Sequence, residues 1–224
     1  MLATRLIGLL PLLNDEQALE LAAIHSISGQ SIALNDWKYP PFRRPHHTAS
    51  SIALVGGGSP PRPGEISLAH QGILFLDELP EFNRHALEAL REPLESGTIT
   101  ISRAARQAEF PANFQLIAAM NPCPCGHFGD PRGSCHCPPE RIAAYRGRIS
   151  GPLLDRIDLQ VEVGRVALEE IAATELPECS AAVAARVAEA RLLQRRRQAR
   201  TNARLEGNDL AVQCGADTAA LALL

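Results

Sequence analysis

Gly72-Ile-Leu-Phe-Leu-Asp77-Glu78 is the stretch that decides the fold. Its apolar part is unbroken and ends in two adjacent carboxylates. A half-exposed strand alternates polar and apolar residues, whereas a continuous run reads as a strand covered on both faces, as in a parallel sheet. Parallel sheets bind ligands outside the carboxyl ends of their strands, which is where Asp77 and Glu78 fall. In a nucleotide-hydrolysing sheet the first carboxylate of such a pair orients Mg2+, and the second polarises the attacking water. Many strands also end in acidic turn residues, so the pair by itself leaves both readings open.

Downstream, Phe114–Met120 is a second run of this kind and ends at Asn121. A side-chain amide there can orient a lytic water, or Asn121 can simply form a turn before Pro122. Between the two runs, Asn83 is placed to cap a helix with Leu87, Leu90 and Leu94 on one face and Gly97 as its terminator. Thr98–Ser102 and Gln107–Phe110 read as a hairpin with Arg103 and Arg106 near its tip.

Upstream, Met1–Leu10 reads as a helix. Asn14 or Asp15 caps a second helix to about Ile27, with Leu19, Ala22, Ala23 and Ile27 at helical spacing. Trp37–Pro45 is a Pro-rich connector, followed by the apolar piece Ile52–Val55 and a loop dense in Gly and Pro. Beyond Asn121, Pro139 opens a helix to Arg148, and Ile157–Val163 alternates as a strand. Arg156 precedes that strand and can pair with Asp155 or Asp158, or reach a neighbouring subunit's nucleotide. After Gly164 the composition shifts to Ala, Arg and Leu, with Ser180–Leu205 as one long helix. The expected organisation is an α/β core over 1–165 and part of a helical lid over 166–224.

The chain has 224 residues, 46% hydrophobic and 21% charged, which suits a soluble globular fold. No apolar run is long enough to span a bilayer, and no cleavage site follows the apolar start, so the expected location is cytoplasmic. A net charge of −3 excludes bulk attraction to nucleic acid, and any such contact must come from local arginines. Arg103 and Arg106 are the better candidates. Arg195-Arg-Arg197 reads as a solvated helix face.

Four of the six cysteines fall close together, as Cys123-Pro-Cys125 and Cys135-His-Cys137. In a leaderless chain such a cluster points to metal rather than to disulfides. Four thiolates can hold Zn2+ tetrahedrally. The Cys-x-Cys bite is tight, however, His127 and His136 are alternative ligands, and four reduced cysteines in a Gly/Pro loop remain the plain reading.

The stretches Arg44-Pro-His-His-Thr-Ala-Ser50, Val55-Gly-Gly-Gly58, Pro63–His70, Gly72–Phe82, Leu90–Gly97, Ala118–Pro122 and Ser150–Leu159 occur in unbroken order. Together they resemble the magnesium-chelatase-like AAA+ ATPases of the competence type, over roughly residues 1–205. The resemblance implies a parallel sheet flanked by helices, with a β-hairpin insert and a partial α-helical lid. It implies Asp77 and Glu78 as the Walker B pair, with Asp77 toward Mg-ATP, Asn121 as sensor 1 and Arg156 as arginine finger. It also implies a helix-2 insert at about 46–68, a pre-sensor-1 hairpin at about 95–113, a homo-hexameric ring, and DNA, single-stranded or branched, as partner.

Family members carry a Gly-rich Walker A loop with a lysine before a segment like Met1–Leu6. Here nothing precedes Met1, and Lys38 is the sole lysine. The sensor 2 arginine is likewise not matched in the tail. The expectation is a truncated or internally started product that alone hydrolyses ATP negligibly. A chelatase-like motor that does not act on DNA, and a zinc-bearing remnant without catalysis, are the rival readings.

Overall fold

The computed structural model describes residues 2–103, 106–130, 133, 135–164, 178–205 and 213. Strands β1 (Phe42–Arg43), β4 (Ile73–Leu76) and β7 (Gln115–Ala118) form a parallel sheet in the order β1-β4-β7. The register pairs Ile73 with Phe42 on one side and with Gln115 on the other. As the unbroken apolar run predicts, β4 is buried throughout. β7 is only half-buried, with Gln115 exposed, because among the described residues it pairs with β4 alone. β1 lies inside the stretch read as a plain Pro-rich connector. Two residues are too few to produce a periodicity signal.

The chain enters through α1 (Leu2–Leu6) and then α2 (Asp15–Ser28). Asn14 and Gln17 close a capping box at the start of α2, satisfying two backbone donors that a helix start leaves unpaired. Its buried face is Ala18, Leu21 and Ile24, of which Ala18 and Leu21 pack with Leu13, Ile32 and Trp37. The expected face was a different one, and Leu19 and Ile27 are exposed. α2 carries apolar residues nearly all round, so spacing alone could not select a face.

The region 46–68 folds as α3 (Ser51–Val55), a small antiparallel pair β2 (Gly56–Gly57) and β3 (Arg62–Pro63), and α4 (Glu65–Leu68). After β4 the predicted helix forms as two pieces, α5 (Arg84–Glu88) and α6 (Arg91–Ser96). Pro93 lacks an N–H and its ring crowds the carbonyl four residues back, so the helix restarts at Leu90. Asn83 caps the first piece, and Gly97 ends the second in the left-handed conformation.

β5 (Thr98–Arg103) and β6 (Arg106–Pro111) form the hairpin. Its inward residues Ile99, Ile101 and Phe110 join Leu74, Leu76, Leu87, Leu90 and Leu153 in one core. Each such side chain contributes about 2 kcal/mol by leaving water. α7 (Pro139–Arg146) and α8 (Gly151–Leu154) follow.

Ile157–Val163 is not a strand. Among the described residues it has no pairing partner, and Leu159, Val161 and Val163 are exposed. Alternation marks a strand only where a neighbouring edge supplies hydrogen bonds.

The chain divides into two compact units, Met1–Ile7 with Leu12–Glu175, and Gly8–Pro11 with Leu176–Leu224. The boundary expected at 165/166 lies outside the described residues, as does the tail beyond Leu205 apart from residue 213. In the second unit α9 (Ser180–Gln198) buries none of its residues. It stops earlier than expected, where Ala199 turns left-handed and the Asn202 side chain accepts from Arg197 and Gln198. No helix among the described residues is long and apolar enough to cross a membrane.

Candidate functional site

β4 delivers Asp77 and Glu78 to the carboxyl end of the middle strand. Glu78 is left-handed, at φ 55 and ψ 48, a conformation uncommon outside glycine and frequent at functional turns. The β4–β7 ladder continues past both strands: Ala119 N–H donates to the Leu76 carbonyl, and Leu79 N–H to the Ala119 carbonyl, each at 2.9 Å. The acidic pair and the segment leading to Asn121 therefore leave the sheet side by side.

The residues after β1 close over this end. The Arg44 guanidinium donates to Asp77 Oδ2 at 2.7 Å and lies 5.3 Å from the centre of the Phe75 ring. His47 Nδ1 is 2.9 Å from Glu78 Oε2, with its ring edge-on to Phe82. Arg44, Pro45, His46, His47, Asp77 and Glu78 line a pocket of about 320 Å3. That is a volume suited to small ligands. Sequence reasoning missed Arg44 and His47 as site residues, although Arg44-Pro-His-His was among the stretches that carried the resemblance.

Asn121 is exposed. Its backbone lies near enough to Tyr145 of α7 to act on the phenol. Burial raises the Tyr145 phenol above its usual value against the Asn121 backbone, and the Glu81 and Glu78 carboxylates push the same way. Tyr145 thus feels both the acidic turn and the Asn121 turn.

Arg156 does not line the pocket. It pairs with Glu95 of α6 and donates to the Pro152 carbonyl. The partners weighed for it from sequence were Asp155 and Asp158, and the structure gives it Glu95 instead. Arg103 and Arg106 are the last backbone pair at the hairpin tip, and their side chains lie outside the described residues. Lys38 pairs with Asp15 at 2.7 Å.

The cysteines of the 123–137 loop converge. Cys123 Sγ lies 3.3 Å from Cys125 Sγ and 3.7 Å from Cys135 Sγ, and all four sulfurs lie within 4.8 Å of one another. Burial alone would raise the Cys123 thiol. Hydrogen bonds from Cys125 and from the Phe128 and His127 amides outweigh it and bring it down to about 6. Zn–S bonds of roughly 2.3 Å in a tetrahedron place the sulfurs roughly 3.8 Å apart, and the observed separations bracket that value. His127 lies 3.8 Å from Asp130, and neither His127 nor His136 joins the sulfur group.

A parallel sheet with an Asp-Glu pair at the carboxyl end of its buried middle strand, beside an Asn-terminated neighbour, defines an AAA+-type α/β core. Residues 1–171 match the family model described as magnesium chelatase, subunit ChlI, and residues 177–224 match the model of its C-terminal part. The chain belongs to this magnesium-chelatase family. It is 52% identical over 217 residues to the uncharacterised protein YifB of Salmonella typhimurium, and 48% identical over 215 residues to the competence protein ComM of Haemophilus influenzae. Each alignment covers 96% of this chain and 42% of that protein. The chain thus spans under half the length of these relatives. A more distant similarity, 28% over 114 residues, is to the chloroplastic magnesium-chelatase subunit ChlI of Oryza sativa subsp. indica; it covers 51% of this chain and 22% of that subunit.

Proposed function

We propose that this chain carries the Walker B half of an ATP-hydrolysing site in a homo-hexameric, cytoplasmic motor that acts on DNA by helicase or branch-migration chemistry. The observation that carries the reading is Asp77-Glu78 at the end of a fully buried parallel strand, tied by two backbone hydrogen bonds to the segment ending in Asn121. Asp77 fits Mg2+ as a half-exposed carboxylate beside a pocket, and Mg2+ when bound would neutralise phosphate charge. Glu78 is the general base toward water. Asn121 orients that water, and Arg156 serves a neighbouring protomer. The lysine that grips phosphate in such sites is not supplied by Lys38, which faces Asp15. The competence name of the Haemophilus relative supports a role in DNA uptake or recombination. The hairpin-tip arginines Arg103 and Arg106 are the proposed DNA contacts.

The cysteine loop is proposed to hold one Zn2+ through Cys123, Cys125, Cys135 and Cys137. Their sulfur-only donor set and mutual spacing fit that ion.

The test is ATP turnover by a chimera that places the family's lysine loop before Met1, with and without single-stranded or branched DNA. DNA stimulation that falls on Arg103→Ala/Arg106→Ala supports the DNA reading. Turnover indifferent to DNA favours a chelatase-like motor acting on another substrate, to which the rice subunit's similarity points.

A further inference from the structure

Asn121 is separated from Cys123 by Pro122 alone. The loop that begins there is held from two sides. On one side is the sulfur group, with Cys123 fully buried and the Phe128 N–H donating to its sulfur at 3.3 Å. On the other is α7, whose Arg146 Nε donates to the Pro122 carbonyl at 3.1 Å and whose guanidinium covers the Phe128 ring at 5.2 Å. Tyr145, the residue before Arg146, is buried on the same helix. Cys135 and Cys137 come just before α7, which starts at Pro139. The four sulfurs therefore join the end of β7 to the start of α7, and those are the two elements that meet at Asn121.

We infer that the cysteine cluster is the fastener that positions Asn121 against Asp77 and Glu78, so that a metal ion on the four sulfurs orders the candidate hydrolysis site from behind. This rests on the zinc reading above. The physical reason is the weakness of the alternative. Four neutral thiols attract one another feebly, and as thiolates they repel. A tetrahedral ion replaces both situations with four bonds of fixed length. Asn121 and its neighbour Met120 are exposed and Pro122 is half-buried, so burial does little to hold this turn. Gly126 lies beside the Asn121 side chain, close enough that a Cβ there would sit 3.9 Å from it.

The cluster thus has a positioning role. Its metal would act through the Asn121 turn and the Arg146–Pro122 contact. Loss of the metal, by chelation or by thiol oxidation, would relax the Asn121 turn while leaving the buried strand and its carboxylates in place.

The experiment uses the 224-residue chain, purified under reducing conditions without chelators. Zinc is counted by elemental analysis, and amide hydrogen exchange is followed before and after metal is stripped with a thiol reagent and chelator. The expected result is one zinc per chain. Stripping should speed exchange at least tenfold in 119–128 and 139–146 and leave 73–76 unchanged. Arg146→Ala provides the second arm: by removing the donor to the Pro122 carbonyl it should keep the zinc stoichiometry and loosen 119–122. One zinc per chain with unchanged exchange at 119–122 would overturn the coupling and leave the zinc reading standing. Well under one zinc per chain in the folded protein would overturn both. Exchange that rises equally in 73–76 would show a general structural metal and overturn the specific role.

Discussion

The Arg44 guanidinium donates to Asp77 Oδ2 at 2.7 Å, so the carboxylate assigned to Mg2+ is already paired with a cation from the end of β1. Both side chains are about half-exposed, and such a pair is worth about 0–1 kcal/mol. Arg44→Gln in the lysine-loop chimera should therefore lower the Mg2+ concentration for half-maximal turnover by up to about fivefold. A titration of turnover against Mg2+ checks this. An unchanged or higher requirement would mean that Arg44 does not compete for Asp77.

Gly72 sets where β4 begins. A Cβ there would meet the Pro41 carbonyl oxygen at 2.1 Å, at the junction where Ile73 N–H donates to the same oxygen. Backbone cannot step aside as a flexible side chain can. Gly72→Ala should cost about 1–3 kcal/mol, the usual range for overpacking, read as a lower urea midpoint. Wild-type stability would show that β1 and β4 can separate freely at this point.

His25 gives the fold an acid limit. Burial lowers its pKa below the ordinary 6.5, and nearby Arg43 lowers it further, against a hydrogen bond to the Leu68 backbone and the charge of Glu65. The unfolded chain then binds this proton more readily than the folded one, so stability rises with pH. The contribution is complete above about pH 6.5 and is lost as pH falls below it. Urea midpoints at pH 7.5 and 5.5 should differ less in His25→Gln than in wild type. Equal differences would contradict the assignment.

The acidic turn was legible because two signals coincide there, an unbroken apolar run and a carboxylate pair, and together they narrow a reading that each alone leaves open. The hairpin was legible from β-branched alternation, and the helix starts from Asn14 and Asn83. The α2 face and the 157–163 segment were not. An all-round apolar helix does not say which side packs, and an alternating segment does not say whether a partner strand exists. Arg44 and His47 were missed because their role depends on a two-residue strand bringing them to Asp77 and Glu78, a relationship across sequence that no local pattern encodes. The sulfur cluster was half-legible: the spacing suggested four ligands, and only the fold shows that they converge.

Arg156 now has a cis partner, Glu95, and the finger role requires that this contact be exchangeable. In assembled rings Arg156→Ala should leave ATP binding intact and lower turnover by about 10³–10⁵. Glu95→Gln should change turnover by less than about tenfold if the contact is only a resting place. Near-normal turnover of Arg156→Ala would make Arg156 a structural residue of the α6–α8 packing.

The most direct test of the central claim is Glu78→Gln in the chimera that carries the lysine loop, with nucleotide binding and steady-state turnover measured on the same preparation. The substitution keeps size and removes the base. ATP affinity should stay within about threefold of wild type, and turnover should fall by about 10²–10⁴, the usual contribution of a positioned general base. Turnover close to wild type with binding intact would contradict the assignment of Glu78, and with it the reading of the Asp77–Glu78 turn as the hydrolytic site.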